Sequence, residues 1–477
     1  MTRKSLNRSL NNSVNRSVEN QQSKTNKTQN EMSKYVKINT RKRTSASKKS
    51  KKGHGRSKSS PRNLAVIDLN VRSLSISRLN LLKTFQKKGW NVHVFAPNAL
   101  QSKLTNGDLE TLQKTIKKTF KDAKIQFTPC NTKSSFFSLG PLKPYQKFES
   151  DLYDLLFKNK VTDLLFIHEE AIMALGGSKD RILSTEQFQT KTLILGKLYH
   201  RKYQDKNAQQ LTTESTPVHQ KTGVITGGLF LKWQNRLFAK IADFKWSKLR
   251  SALSKFTHVV VQNKEDGALI KSVLDEKRQT LILVEGAGVD LNHFAKHPLS
   301  PTTPLTFLFV GRLESEKGFA DFCEAVQIVR KKYPGMIFNA IGELPHQKNG
   351  TDYEKMAKDS GIHHFGDVID VRPYLHDAHV VVFPSHNEAT SKALQEALAV
   401  GRPIITTNIS GCAQSVTPKE NGVVVHVKDP WAIANSMTYF IDQSEQLKKM
   451  ADYSRKFAET KFDDKKIDAQ IVQSVID

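Results

Sequence analysis

Residues 384–403 read PSHNEATSKALQEALAVGRP, and the organisation of the chain follows from them. Just before them, 379–383 (HVVVF) is a short apolar run ended by Pro384, the pattern of a buried strand. Ala393, Leu394, Ala397 and Leu398 then share one helical face, and Gly401 ahead of Pro403 closes the helix. Glu388 falls in the strand-to-helix loop, at the carboxyl edge of a sheet, where doubly wound folds hold their ligands. Glu396 follows eight residues later. Eight helical residues rise about 12 Å and turn about 80° past two full turns. The two carboxylates are therefore expected to face one crevice at opposite ends of an extended ligand, such as a diphosphate between two hydroxyl-rich rings. A lone pair of acids at this spacing is more often a solvated helix face, so the flanking sequence has to decide.

Outward from this stretch the same alternation repeats. Apolar runs at 64–67, 91–95, 123–127, 163–167, 191–195 and 257–262 are separated by helical segments, the first over 77–88. A second series follows at 307–310, 336–340, 379–383, 403–407 and 422–427. Strands alternating with helices imply parallel sheets covered on both faces. The expected architecture is α/β: two doubly wound, Rossmann-like domains in sequence with a cleft between them. Residues 290–303, rich in Pro, Ser and Thr, link them.

The loop after the 307–310 strand carries Gly311, Arg312, Lys317 and Gly318. A leaving diphosphate gains negative charge as its bond to a sugar breaks, and fixed cations and backbone N–H groups can meet that charge. Arg312 and Lys317, five residues apart across a turn, can both reach one pair of phosphates. Gly311 and Gly318 allow backbone to come close on either side. No H-E-x-x-H, EF-hand or clustered His/Cys pattern is present, so a metal-independent site with no cofactor is expected.

Gly286-Ala-Gly-Val-Asp290 with Phe294, the run 307–313 followed by Glu316-Lys-Gly318, Asn339-Ala-Ile-Gly-Glu343, Phe365-Gly-Asp367 and Ile409-Ser-Gly-Cys412 occur in that order. Together with Glu388 and Glu396 they resemble the retaining GT4-type glycosyltransferases of the GT-B fold, clearly from about 286 to 435 and more weakly back to 63. The resemblance implies a domain over 63–295 on the acceptor side and a nucleotide-sugar-binding domain over 296–454. It also implies closing helices, from about 430 and chiefly over 455–477, that pack back on the first domain. By the same resemblance Glu396 accepts the ribose hydroxyls, while Glu388 holds sugar hydroxyls or steadies charge on the sugar ring. Gly342 and Asp367 join Gly311, Arg312 and Lys317 in holding the donor. The implied reaction is transfer with retention from a nucleotide-diphosphate sugar, UDP-linked, to a hydroxyl of a lipid-linked or surface glycan. A catalytic histidine near the sugar is assigned to His200, with His168 as the alternative, since both follow strands. The loop 68–74 departs from the family in lacking glycines, and Thr226-Gly-Gly228 resembles a loop of members that use lipid-linked sugars.

The formal net charge is +28, and it is concentrated. Residues 1–62 hold 18 Lys or Arg against Glu19 and Glu31, and one aromatic, Tyr35. Such a segment cannot bury enough apolar area to fold alone, so a disordered basic tail is expected. It would solubilise, or attract an anionic membrane or, loosely, nucleic acid; no motif for sequence-specific nucleic-acid binding accompanies it. Over 229–256, Phe230, Trp233, Leu237, Ile241 and Phe244 recur at helical spacing beside Lys232, Arg236, Lys240 and Lys245. That pattern suits an interfacial helix or an ordinary amphipathic one. Three scattered cysteines without C-x-x-C spacing read as reduced thiols. With neither a secretory h-region nor a long apolar run, a cytoplasmic protein is expected, peripheral on the inner face of a membrane. The alternative reading is a catalytically inactive GT-B binding protein recruited to anionic membrane or nucleic acid by its tail.

Overall fold

The structure, a computed structural model, describes residues 62–68, 74–75, 78–97, 106–130, 146–167, 182, 188–194, 253–300, 304–344, 352–388 and 390–476. The basic segment 1–61, His168, His200, Thr226-Gly-Gly228 and nearly all of the 229–256 helix lie outside them.

The first sheet is built from β1 (Asn63–Ile67), β2 (Asn91–Pro97), β3 (Gln126–Cys130), β4 (Asp163–Ile167), β5 (Thr190–Ile194), β6 (His258–Val261) and β7 (Thr280–Leu283). Helices α1 (Leu79–Lys87), α2 (Asn106–Asp122), α3 (Gln146–Lys158) and α4 (Lys264–Lys271) alternate with these strands. The strand order is β3-β2-β1-β4-β5-β6-β7, and every pairing is parallel. The second sheet holds β8 (Thr306–Val310), β9 (Ile337–Ile341), β10 (His363–His364), β11 (Val380–Phe383), β12 (Ile404–Thr407) and β13 (Gly422–Val425). Its order is β10-β9-β8-β11-β12-β13, again wholly parallel. Around it lie α5 (Phe319–Lys332), α6 (Tyr353–Asp359), α7 (Arg372–Asp377), α8 (Lys392–Val400), α9 (Ser410–Ala413), α10 (Pro430–Asp442) and α11 (Leu447–Lys461), and the described chain closes on α12 (Asp464–Ile476).

Both faces of each sheet are buried, which is why the strands read as continuous apolar runs. On β1, Ala65 and Ile67 pack on one side with Leu152 and Leu156 of α3. Leu64 and Val66 pack on the other with Leu81, Leu82 and Phe85 of α1 and Ile116 and Phe120 of α2. On β8, Phe307 and Phe309 meet Phe319, Phe322 and Val326 of α5. Leu308 and Val310 meet Leu394, Ala397 and Leu398 of α8.

The closing helices divide differently from the expectation. Ile433, Met437 and Phe440 of α10 and Leu447 and Met450 of α11 belong to the core of the second sheet. Only α12 crosses, its Ile467, Ile471, Val472 and Val475 filling the α1/α2 side of the first sheet. The crossing is pinned where Val289 donates its N–H to Phe462 O at 2.8 Å and Asp464 N–H reaches Val289 O at 3.3 Å. Two strands, β7 and β10, escape the sequence pattern. β3 begins at Gln126 rather than 123, because Lys124 takes a left-handed conformation (φ 55°) and ends α2 there.

Arg402 ties the interdomain linker to the second sheet. Its guanidinium is wholly buried and donates to the carbonyls of Leu375 (2.8 Å), His297 (3.0 Å), Pro298 (3.0 Å), His376 (3.1 Å) and Gly401 (3.3 Å). Burial lowers its pKa to about 10. Replacing it with Met leaves those buried carbonyls unsatisfied. Bonds to a charged donor contribute about 1.5–3 kcal/mol each, so Arg402→Met is expected to cost at least about 3 kcal/mol in urea unfolding. A loss below about 1 kcal/mol would show that water replaces the guanidinium freely.

Candidate functional site

At the carboxyl edge of the second sheet, two loops lie against each other. The first leaves β8 at Gly311, passes Arg312 and Glu314, makes a single 3-10 turn over Ser315–Lys317 and enters α5 at Gly318. The second leaves β11 at Pro384 and runs through Ser385, His386 and Glu388 to Ser391. The Ser391 side chain accepts from Leu394 N–H at 3.3 Å and so caps α8, while Gly401 ends it in the left-handed region.

Glycine is required where these loops touch. Gly318 has φ 72°, and a Cβ there would land on the carbonyl of Pro384. Gly342, at the end of β9 with φ 141°, would drive a Cβ into the carbonyl of Gly311. Gly342 also donates its N–H to Gly366 O at 2.8 Å, and a ring nitrogen of His364 lies 2.9 Å from Gly342 O. The result is a compact backbone platform under Gly311 and Arg312. Asp367 lies on its exposed rim beside Gly366.

The central side-chain contact is between Lys317 Nζ and Glu388 Oε1, an ion pair that is mostly shielded from solvent. Phe383 lies beneath it, its ring centroid 5.7 Å from Nζ. Arg312 turns instead to Glu314, with Nη2 2.8 Å from Oε1, and stays more than half exposed. Both cations expected to meet a diphosphate thus carry a carboxylate partner within the protein. Glu314 was not among the residues singled out from the sequence.

The two carboxylates of the opening stretch do not sit on one helix. α8 starts at Lys392, so Glu388 lies in the loop and the helical rise does not relate it to Glu396. Glu388 joins Lys317. Glu396 sits one turn after Lys392, and burial pushes its carboxyl up to about 7 against the opposing effect of the Lys392 ammonium. Burial lowers Lys392 in turn, and its charged neighbours besides Glu396 are Arg78, Asp464 and Asp468.

Those residues form a buried polar cluster where α1, α8 and α12 meet. Arg78, just before α1, donates Nη1 to Ala287 O at 3.2 Å. Asn80 Nδ2 donates to Asp464 Oδ2 at 2.7 Å and to Asp290 Oδ2 at 3.3 Å. Burial raises the Asp464 carboxyl and carries Asp468 to about 7, although Arg78 opposes the latter. The members of this cluster come from the starts of three helices, near positions 78, 392 and 464, and no sequence spacing brings them together. All three cysteines are buried thiols outside any disulfide, and burial pushes Cys323 and Cys412 up to about 12. Among the described residues no three His, Cys, Asp or Glu side chains are grouped as metal ligands. No described helix is long and apolar enough to cross a membrane.

With this geometry established, likeness to known proteins is informative. Residues 292–457 match the family of glycosyl transferases group 1. Glycogen synthase of Mycobacterium tuberculosis is 30% identical over 180 residues, 37% of this chain and 44% of that protein. The capsular polysaccharide biosynthesis glycosyltransferase CapM of Staphylococcus aureus is 28% identical over 156 residues, 32% of this chain and 41% of its own. The chain thus spans less than half the length of these curated relatives. Among solved structures, sucrose-phosphate synthase from Thermosynechococcus elongatus superposes with a TM-score of 0.61 at 16% identity, over 87% of this chain and 98% of that one. Anabaena Alr3699/HepE in complex with UDP-glucose gives 0.59 at 14% identity, over 87% and 99%. The fold is GT-B, and the resemblance to GT4-type glycosyltransferases holds over the second sheet and the two site loops.

The cluster sets a pH dependence of stability. Asp468 has a native pKa of about 7 against 3.8 for the ordinary side chain. Between those values the native state keeps a proton that the unfolded chain has lost, so stability falls as pH rises from 4 to 7. Asp468→Asn removes this term. Its Tm relative to the parent protein is expected to rise between pH 5 and pH 8 in a thermal-melt series. A pH-independent difference would show that Asp468 is ionised throughout.

Proposed function

We propose that the chain is a retaining glycosyltransferase that moves a sugar from a nucleotide-diphosphate donor, UDP-linked, to a hydroxyl of a lipid-linked or surface glycan. The observation that carries this reading is the Lys317–Glu388 pair, an ammonium and a carboxylate held together between the two site loops. A diphosphate offers Lys317 a partner of higher charge, and a sugar offers Glu388 hydroxyl donors. A bound donor would therefore exchange one internal ion pair for two contacts along its own length. Arg312, already half in solvent, would swing from Glu314 to the distal phosphate. Curated relatives named for glycogen and capsular polysaccharide synthesis, and a structural neighbour holding UDP-glucose, support the donor class.

In the proposed reaction the bond between the anomeric carbon and the phosphate oxygen breaks. The acceptor oxygen bonds to that carbon on the same face, and the acceptor's hydroxyl proton passes to the departing phosphate oxygen. Lys317 and Arg312 meet the charge growing on the diphosphate, with no metal required. Glu388 steadies the positive charge on the sugar ring. Glu396 would accept the ribose hydroxyls as a carboxylate, so donor binding would release the proton it holds near neutral pH.

Glu388→Gln is expected to cut turnover at least about 10²-fold with the fold intact, the scale of a lost electrostatic contact to a transition state. Glu396→Gln should weaken nucleotide affinity instead. Parent-level activity in Glu388→Gln would remove that residue from the reaction.

Lys317→Ala and Arg312→Ala should each weaken nucleoside diphosphate binding far more than monophosphate binding in calorimetry. Equal losses would place both side chains away from the diphosphate. Chelator should leave turnover unchanged. A thermal-shift screen with UDP, GDP and ADP fixes the base, and no shift with any of the three would overturn the donor assignment.

A further inference from the structure

The Lys317–Glu388 pair cannot be what holds the two site loops in register during the reaction, because on the donor reading above the ligand takes both of its members. Some other link must keep the loops together once that pair is broken. Three contacts converge on the required place. His386 donates its backbone N–H to Glu316 O at 2.9 Å, and Ser385 Oγ donates to the same carbonyl at 3.2 Å. His386 Nε2 lies 2.6 Å from Asp321 Oδ2, with both side chains largely shielded from water. Asp321 stands in the first turn of α5, immediately beyond Lys317 and Gly318. His386 stands two residues before Glu388. The contact therefore spans the two loops beside the functional pair and shares none of its atoms.

We propose that His386 and Asp321 are positioning residues for donor binding: their contact clamps the Glu388 loop to the Lys317 loop, so that both move as one body when the diphosphate displaces the Lys317–Glu388 pair. Neither residue belongs to the motifs assigned to the donor. The inference rests on the donor reading but uses different atoms, so it can fail by itself. A carboxylate in a first helical turn is also favoured by the helix dipole alone. A purely local role of that kind would stabilise α5 and leave the ligand's phosphate preference untouched.

The test measures the affinity ratio of diphosphate over monophosphate by calorimetry, with UDP and UMP and the corresponding guanosine and adenosine pairs. The proteins are full-length parent, His386→Ala, Asp321→Ala and the double variant, with His386→Gln and Asp321→Asn as conservative replacements that keep a donor or an acceptor in place. His386→Ala and Asp321→Ala are each expected to shrink the ratio about tenfold while sparing monophosphate affinity, and the double variant to lose no more than either single. His386→Gln and Asp321→Asn are expected to recover most of the loss. Unchanged ratios, additive losses, or equal weakening of both nucleotides would overturn the clamp and leave the donor reading standing. A parent protein that binds none of the nucleotides would overturn both.

Discussion

An ammonium and a carboxylate drawn together out of most of their solvent are stable only if the backbone around them is fixed, because neither can recover its hydration cheaply. The Lys317–Glu388 pair imposes that constraint on the second half of the molecule. Its partners are 71 residues apart in sequence, one after β8 and one after β11, and these strands are neighbours in the sheet. The parallel ladder brings their carboxyl ends together, and the missing Cβ of Gly318 lets the loops close to van der Waals distance against Pro384. Thr406 and Thr407 on β12 then fasten the second loop from beneath, donating to Phe383 O at 2.7 Å and Ser385 O at 2.5 Å. Strand order, one glycine and two threonines thus serve a single contact.

On the proposed donor reading, the Lys317–Glu388 pair has a functional logic. Unpaired, Lys317 and Glu388 would each bear a desolvation cost beside the Phe383 ring. Paired, they hold the two loops together, and on that reading a ligand would have to supply both charge and hydroxyls to replace what it breaks. A monophosphate or a bare sugar satisfies only one of the two. Discrimination for a two-ended ligand would then follow from the cost of leaving the other member buried alone.

Much of this was legible in sequence, and the limits have physical causes. β11 and α8 were readable because a tetrapeptide of buried β-branched and aromatic residues is closed by Pro384, and because Gly401 ahead of Pro403 closes an apolar helical face. Gly311, Arg312, Lys317 and Gly318 were readable as a loop that approaches something anionic. What failed was the relation between Glu388 and Glu396. The helical offset assumed for them does not apply, because Glu388 lies in the strand-to-helix loop, where the sequence itself placed it, and α8 starts only at Lys392. β10 gave no signal, since His363 and His364 have no apolar pattern and pair only because β9 offers an open edge. For α12 it was the resemblance, not an apolar pattern, that placed 455–477 against the first sheet, where its Ile467, Ile471, Val472 and Val475 lie. Apolar periodicity by itself says that a face is buried without saying against what.

The destination of α12 is what joins the two halves chemically. Its apolar stripe closes the first sheet, while its first turn places Asp464 and Asp468 beside Arg78 and Lys392, so the seam between the sheets is polar on the side nearest Glu396. Carboxylates outnumber cations there: Glu396, Asp464 and Asp468, with Asp290 beside Asn80, lie around Arg78 and Lys392. Protons make up the difference, held on Asp468 and Glu396 with pKa values of about 7. A ribose bound at Glu396 would favour the carboxylate, remove one of those protons and add negative charge at the point where α12 crosses. Lys392 is one turn away, its ammonium is disfavoured by burial, and a negative charge on Glu396 opposes that effect. On the proposed donor reading, occupancy of the nucleotide site would thereby be coupled to the protonation of the seam between the two sheets.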